Sequence, residues 1–171
     1  MAVISAANIK WYLSGAGSNS DPAQSYGGAI STVEVTPGTL FDDVTGDEAN
    51  SGKVYYRCVY LKNTDANAGG WISPYLWVST DVSAAGDAVA IAQTGSAKNA
   101  SAEAKAADEF TAPSGPSFTK PTTKGGGILL KTGPYVQNDY IAIWIRRTIG
   151  ASTAAYNNET FTLSVEGDSS A

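Results

Sequence analysis

The sequence contains no histidine. That absence removes every histidine-based triad, histidine metal site and histidine general base from the chemistry open to this chain. Cysteine is reduced to Cys58, so no intramolecular disulfide and no CxxC or zinc-thiolate cluster forms within one chain. Cys58 sits in an apolar run, where a buried and inert thiol is expected. Positive charge is scarce: 11 Lys and Arg stand against 16 Asp and Glu, for a net charge of −5. A balance of that sign argues against nucleic acid as a partner. No apolar run has the length needed to cross a bilayer. The segment Met1-Ala-Val-Ile-Ser-Ala-Ala-Asn8 lacks the basic region of a signal peptide, so synthesis in a reducing cytosol is expected. GxGxxG, GxxxxGK[ST] and GxSxG are all missing, which leaves dinucleotide, P-loop and hydrolase-elbow sites without support. There is almost no helical periodicity, and no internal repeat is seen.

Apolar alternation of period two is what the chain has instead. Ile9, Trp11 and Leu13 alternate with Lys10 and Tyr12, as on a strand with one buried face. Val33 and Val35 flank Glu34 in a shorter strand. Residues 53–62 form a long strand with Val54, Tyr56, Cys58 and Tyr60 on one face and Tyr55, Arg57, Val59 and Leu61 on the other. Residues 71–79 follow, and Pro74 within them predicts an edge or bulged strand. Short strands are expected at 89–92 and 128–131. Residues 139–148 place Ile141, Ile143 and Ile145 on one face and Ala142, Trp144 and Arg146 on the other. Phe161, Leu163 and Val165 then alternate with polar neighbours. Turn-forming runs at Asn67-Ala-Gly-Gly70, Ala85-Gly-Asp87 and Tyr156-Asn-Asn158 separate these strands. The expectation is a single all-β domain over 1–171, an antiparallel β-sandwich of about eight strands, immunoglobulin-like or jelly-roll-like. Thr45-Gly-Asp-Glu48 has capping-box spacing for about one helical turn.

One segment breaks this rhythm. From 93 to 127 there is no Val, Ile, Leu, Met, Trp or Tyr, and the large apolar residues are Phe110 and Phe118 alone. The Ala-rich run 97–107 has the composition of a short helix but no apolar stripe to hold one. Pro113, Pro116 and Pro121 favour an extended path. Loops this long are uncommon in compact domains. A surface excursion competes with an arm that lies on a neighbouring subunit, anchored by Phe110 and Phe118.

Other constellations are weaker. Asp42, Asp43, Asp47 and Glu48 carry hard oxygen ligands suited to calcium but lack a calcium-loop spacing; a solvated helix start accounts for them. Paired carboxylates of a glycosidase cannot be picked out in one sequence. Trp71, Tyr75 and Trp77 share a face on a regular strand and form a candidate platform for a surface glycan, against the commoner role of aromatics as core. Arg146 and Arg147 point to opposite faces; Arg147 continues the isoleucine face, where a salt bridge or an intersubunit contact is expected.

Three groups of motifs together resemble a known class. They are Ile9-Lys-Trp-Tyr-Leu-Ser-Gly15 with Ser18-Asn-Ser-Asp-Pro22 and Gly27-Gly-Ala-Ile-Ser31; Leu40-Phe-Asp-Asp-Val-Thr-Gly-Asp-Glu-Ala49 with Tyr56-Arg-Cys-Val-Tyr-Leu-Lys-Asn63; and Trp144-Ile-Arg-Arg-Thr148 with Ala155-Tyr-Asn-Asn158 and Phe161-Thr-Leu-Ser-Val-Glu-Gly167. They resemble small virion structural proteins of tailed bacteriophages, over most of the chain except 93–127. The resemblance implies a non-enzymatic protein with no cofactor and no metal. Within that class a head decoration, or cement, protein on the outside of the capsid is favoured over a tail tube, collar or baseplate component. The implied partners are the major capsid protein, copies of the same chain, or both, without nucleic acid or membrane. Residues 1–8, as an N-terminal arm, and 93–127 are the candidate contact segments, with Val3, Ile4, Phe110, Phe118 and Arg147 as contact residues. A glycan-binding sandwich module is the alternative from another class.

Overall fold

The computed structural model describes residues 4–66, 69–84, 86–131, 133–153 and 159–169. Among these residues eight strands and one short α-helix, besides three single 3-10 turns, follow in the order β1 (Ile9–Ser14), β2 (Ile30–Glu34), α1 (Gly46–Ser51), β3 (Lys53–Asn63), β4 (Trp71–Thr80), β5 (Ala88–Gln93), β6 (Ile128–Leu129), β7 (Tyr140–Ile149) and β8 (Thr162–Ser169). They build two antiparallel sheets, one ordered β2-β1-β3-β7-β5 and the other β6-β4-β8. The all-β sandwich expected from the alternation is what forms. The longest ladder joins β3 to β7, from Lys53 opposite Ile149 to Lys62 opposite Tyr140.

The core lies between the sheets. From the larger sheet come Leu13, Val59, Leu61, Ile91, Ile141, Ile143 and Ile145; from the smaller, Trp71, Leu76 and Val78, with Leu163 and Val165 partly buried against them. Each aliphatic side chain fully withdrawn from water contributes roughly 1.5–3 kcal/mol. Among the described residues no helix is long and apolar enough to cross a membrane.

Pro74 produces a bulge but not an edge. The β4–β8 register shifts between Ile72 and Tyr75, and Ser73 takes φ +46°. β4 is nevertheless the middle strand of its sheet. The bulge fits because Gly167 stands opposite it: a Cβ there would lie 2.6 Å from the Ile72 carbonyl oxygen and 2.7 Å from the Trp71 indole nitrogen. The extra residue also inverts the strand's alternation. Trp71 points into the core with Leu76 and Val78, while Tyr75 and Trp77 are only partly buried. The shared face expected for Trp71, Tyr75 and Trp77 is therefore corrected to a pair, Tyr75 and Trp77.

The segment 93–127 does not leave the domain. It contains no α-helix at 97–107, and it runs across the outer face of the larger sheet. Glu103 bridges Gly28 in both directions, at 2.8 and 3.1 Å; the Ala106 amide donates to the Tyr26 carbonyl at 2.9 Å, and the Tyr56 amide to the Glu109 carbonyl at 2.7 Å. Beneath it Cys58, Tyr60, Ala92, Ala106, Ala142 and Trp144 make a second apolar cluster, with Tyr56 and Phe118 packed against it. The domain is thus a sandwich with a third, irregular layer on one side. Of the two large apolar residues of the segment, Phe118 packs on this cluster within its own domain, and alanines suffice beside it because the sheet supplies the large side chains.

Candidate interaction surface

A sandwich has two seams along its flanks, where the edges of the two sheets face each other, and here they are finished differently. On the β5 flank, residues 119–131 tie the sheets together. Thr119 pairs with Ile91 of β5 through two hydrogen bonds, at 2.8 and 2.9 Å. The Val78 amide of β4 then donates to the Pro121 carbonyl at 2.8 Å, β6 pairs Ile128 and Leu129 with Leu76 and Tyr75, and the Leu130 amide donates to the Pro74 carbonyl at 2.9 Å. Leu130 is fully buried there. The expected strand at 128–131 shortens to two residues because the chain turns inward at Leu130.

On the opposite flank nothing comparable is present among the described residues. β2 pairs only with β1 and β8 only with β4, and no described segment hydrogen-bonds to the outer backbone edge of β8. Between them runs an apolar trough. Its larger hollow, about 460 Å³, is lined chiefly by Trp11, Val35, Leu40, Phe41, Phe161 and Leu163. A second, about 250 Å³, continues it past Trp11 to Ile4, Trp71 and Val165. The two share Trp11 as a wall. Trp11, Val33, Val35, Phe41, Phe161, Leu163 and Val165 are only partly buried, unlike the core they pack on. The trough exists because the larger sheet has five strands and the smaller only three.

Arg147 and Glu159 are the charged residues that line the larger hollow. Arg147 is buried; it donates to the Asp42 carbonyl at 3.2 Å and lies 3.5 Å from the Glu159 carboxylate. Glu159 in turn accepts from the Ala84 amide. Burial, and then hydrogen bonding to Glu159, raise the Asp87 carboxyl above its ordinary range, against the pull of the Gly150 amide that donates to it at 2.8 Å. Arg147 therefore ties two loops to β7 and, through Glu159, a third, and its salt bridge is with Glu159 of its own chain.

Arg57, the other buried arginine, is also structural. It donates to the Leu40 carbonyl at 3.1 Å, is ion-paired with Glu109 of the long segment, and lies 3.8 Å from Asp42. The acidic cluster does not converge on a common point. Thr45 and Glu48 form the capping box of α1, with the Thr45 amide donating to Glu48 at 3.0 Å, and Glu48 also accepts from Tyr55. Among the described residues no group of three or more cysteines and carboxylates is arranged to hold a metal. Cys58 is wholly buried, and desolvation raises its thiol far above the ordinary value, so it is not a nucleophile at neutral pH.

The remaining candidates divide. Val3 lies outside the described residues, as do Tyr156-Asn-Asn158 and part of two other turn runs. Ile4 packs on the core at the smaller hollow, and residues 5–8 are tied down as the Ser5 amide and Asn8 side chain donate to Asp65 at 2.9 and 2.8 Å. Phe118 packs at a tilt against Tyr56, ring centroids 5.6 Å apart, with the Arg146 guanidinium 5.2 Å from its ring centre. Phe110 keeps 43% of its surface exposed while resting on Tyr55, with Lys53 Nζ 3.9 Å from its ring. The structure does not bring these five residues together. The trough was not among the sequence-derived candidates: the apolar face of residues 161–165 is visible in the sequence, but the absence of a strand to cover it is set by pairing order. Comparison of this chain with protein-family models, curated proteins and solved structures finds no match in any of the three.

Proposed function

We propose that this protein is a non-enzymatic structural component of a virion, a capsid decoration protein that binds the outside of a tailed-phage head and stabilises it. The observation that carries this reading is the open flank: apolar surface left uncovered beside a free strand edge, which equips a protein to associate with another chain. The buried ionisable groups give it a second support. Arg57, Arg147 and Glu103 each spend their hydrogen bonds on joining loops to sheets, which makes a stiff body. Such a body suits repeated attachment to a lattice, where many modest contacts add up. The sequence resemblance to small phage virion proteins points the same way, and a net charge of −5 suits a surface that never meets the packaged genome.

Cryo-electron microscopy of the assembled particle tests this directly. Density for the sandwich on the capsomer surface is expected, and particles lacking the protein should lose resistance to heat and osmotic shock. Density confined to the tail assigns the protein to tube, collar or baseplate. The glycan-binding alternative retains one specific support, Tyr75 and Trp77 side by side on the outer face of β4. A glycan array that leaves tryptophan fluorescence unchanged removes it.

A further inference from the structure

The sealed flank shows what this fold uses to close a seam: an extended segment that hydrogen-bonds to a strand edge and sends an apolar side chain inward. We infer that the open flank is a docking site for such a segment from another protein, one that adds itself as a strand beside β8 and alternates apolar with basic residues.

The chemistry of β8 specifies that alternation. Leu163, Val165 and Gly167 alternate along it with Thr162, Ser164, Glu166 and Asp168. Leu163 and Val165 pack on the core and line the trough. A strand laid alongside repeats the alternation, because directly opposed residues share a face. Its inward side chains fall beside Leu163 and Val165 and fill the hollows that Trp11, Phe41 and Phe161 line. Beside Gly167 the Ile72 carbonyl oxygen and the Trp71 indole already fill the space where a Cβ would stand, so a small residue is favoured at that position. Its outward side chains fall beside Glu166 and Asp168, where lysine or arginine is favoured and a carboxylate is repelled. Asp42, with its side chain 70% exposed, and Asp43 add negative charge near the Phe41 end, and among the described residues Lys124 is the lysine ion-paired on β8, to Glu166 at 2.6 Å. The main-chain groups on the outer edge of β8 have no partner among the described residues and supply sequence-independent hydrogen bonds. A second copy of this chain brings the same acidic edge to the contact, which disfavours it as occupant.

This inference takes from the proposed function only that the open flank is an interaction surface; it holds whether the partner belongs to a head, a tail or neither. The test uses the purified full-length protein and two capped nine-residue peptides, one alternating valine with lysine and one alternating valine with glutamate. The lysine peptide is expected to bind at least tenfold more tightly at low salt, and to slow amide hydrogen exchange along residues 163–168. Asp168→Lys, an exposed substitution, should shrink that preference without changing the melting temperature. Val165→Lys, which aims a charge into the trough, should abolish binding. Absence of binding, equal binding of the two peptides, or protection located elsewhere overturns the inference. So does sedimentation showing a dimer whose β8 is protected before any peptide is added. Microscopy of the particle decides the capsid reading separately, since its outcome does not depend on either peptide.

Discussion

On one face of the five-stranded sheet, Ile141, Ile143 and Ile145 meet a second sheet; on the other, Ala142, Trp144 and Arg146 meet a segment with almost no regular structure of its own. The inner layer is aliphatic and depends on close packing of side chains that need no partner atoms. The outer layer is built of small and aromatic residues, and it depends on hydrogen bonds. Tyr60 donates to the Gly28 carbonyl and accepts from the Glu103 amide at 3.1 Å, while the Glu103 carboxylate accepts from Trp144 at 3.3 Å and from Ser96. Gly27 lets the two chains approach: with φ +108°, a Cβ there would stand 2.5 Å from the Ala104 carbonyl oxygen. A segment without large apolar residues can be held on a sheet, provided that polar groups fix its path.

The largest expected effect belongs to the inner layer. Ile143→Ala empties a fully buried site and should cost about 3–4 kcal/mol in urea unfolding. A loss below about 1 kcal/mol would mean the inter-sheet core is looser than its burial implies. Next comes Glu103→Ala, which strands the Trp144 indole N–H and the Ser96 hydroxyl. It should cost about 1–3 kcal/mol and speed hydrogen exchange of the Gly28 amide, which Glu103 accepts at 2.8 Å. Unchanged exchange there would show that the backbone bridge alone secures the layer. Two phenylalanines on the same segment give a graded comparison: Phe118→Ala should destabilise measurably, whereas Phe110→Ala, at a 43% exposed residue, should stay within about 1 kcal/mol. Reversed order would place the outer layer's anchor at Phe110.

The smallest effect is one of pH. Asp139 fixes the start of the long segment, accepting from Lys98 and Asn99 at 2.6 Å each and from the Val136 amide at 2.9 Å. Burial works to raise its carboxyl, but these bonds prevail and hold it below the ordinary 3.8. A depressed carboxylate contributes its stability above the unfolded value and loses it as pH falls through the folded one. The contribution should therefore be complete above about pH 4–5 and disappear as pH drops below 3.8, a change that Asp139→Asn should flatten in melting curves taken across that window.

The inner layer was legible in the sequence, because alternation reports burial on one face and the isoleucines of β7 state it without ambiguity. The strand β7 held a further signal that alternation alone does not interpret: Ala142 and Trp144 are apolar on the second face too, which requires a cover. The cover is not legible in the sequence because it consists of residues that look like linker. The Glu103 network has no sequence signature, since a lone glutamate in an alanine-rich run reads as solvated. At β4, proline announced a disturbance, but whether it marks an edge or a central bulge depended on Gly167, almost a hundred positions away in the chain. The mismatch of five strands against three, which opens the trough, arises from pairing order and is invisible to local patterns.

The pairing of β3 with β7 has a consequence in time as well as in space. The two central strands of the larger sheet come from residues 53–63 and 140–149, so the chain between them must be gathered before the longest ladder can close. Loop closure over such a span is an early entropic cost, and topologies dominated by distant pairings fold slowly. The stretch 93–127 lies inside that loop and lays itself over a sheet that is incomplete until β7 joins β3 and β5. The outer layer therefore closes over Trp144 and Cys58 no earlier than the ladder beneath it, and a slow step in pairing β3 with β7 delays both together.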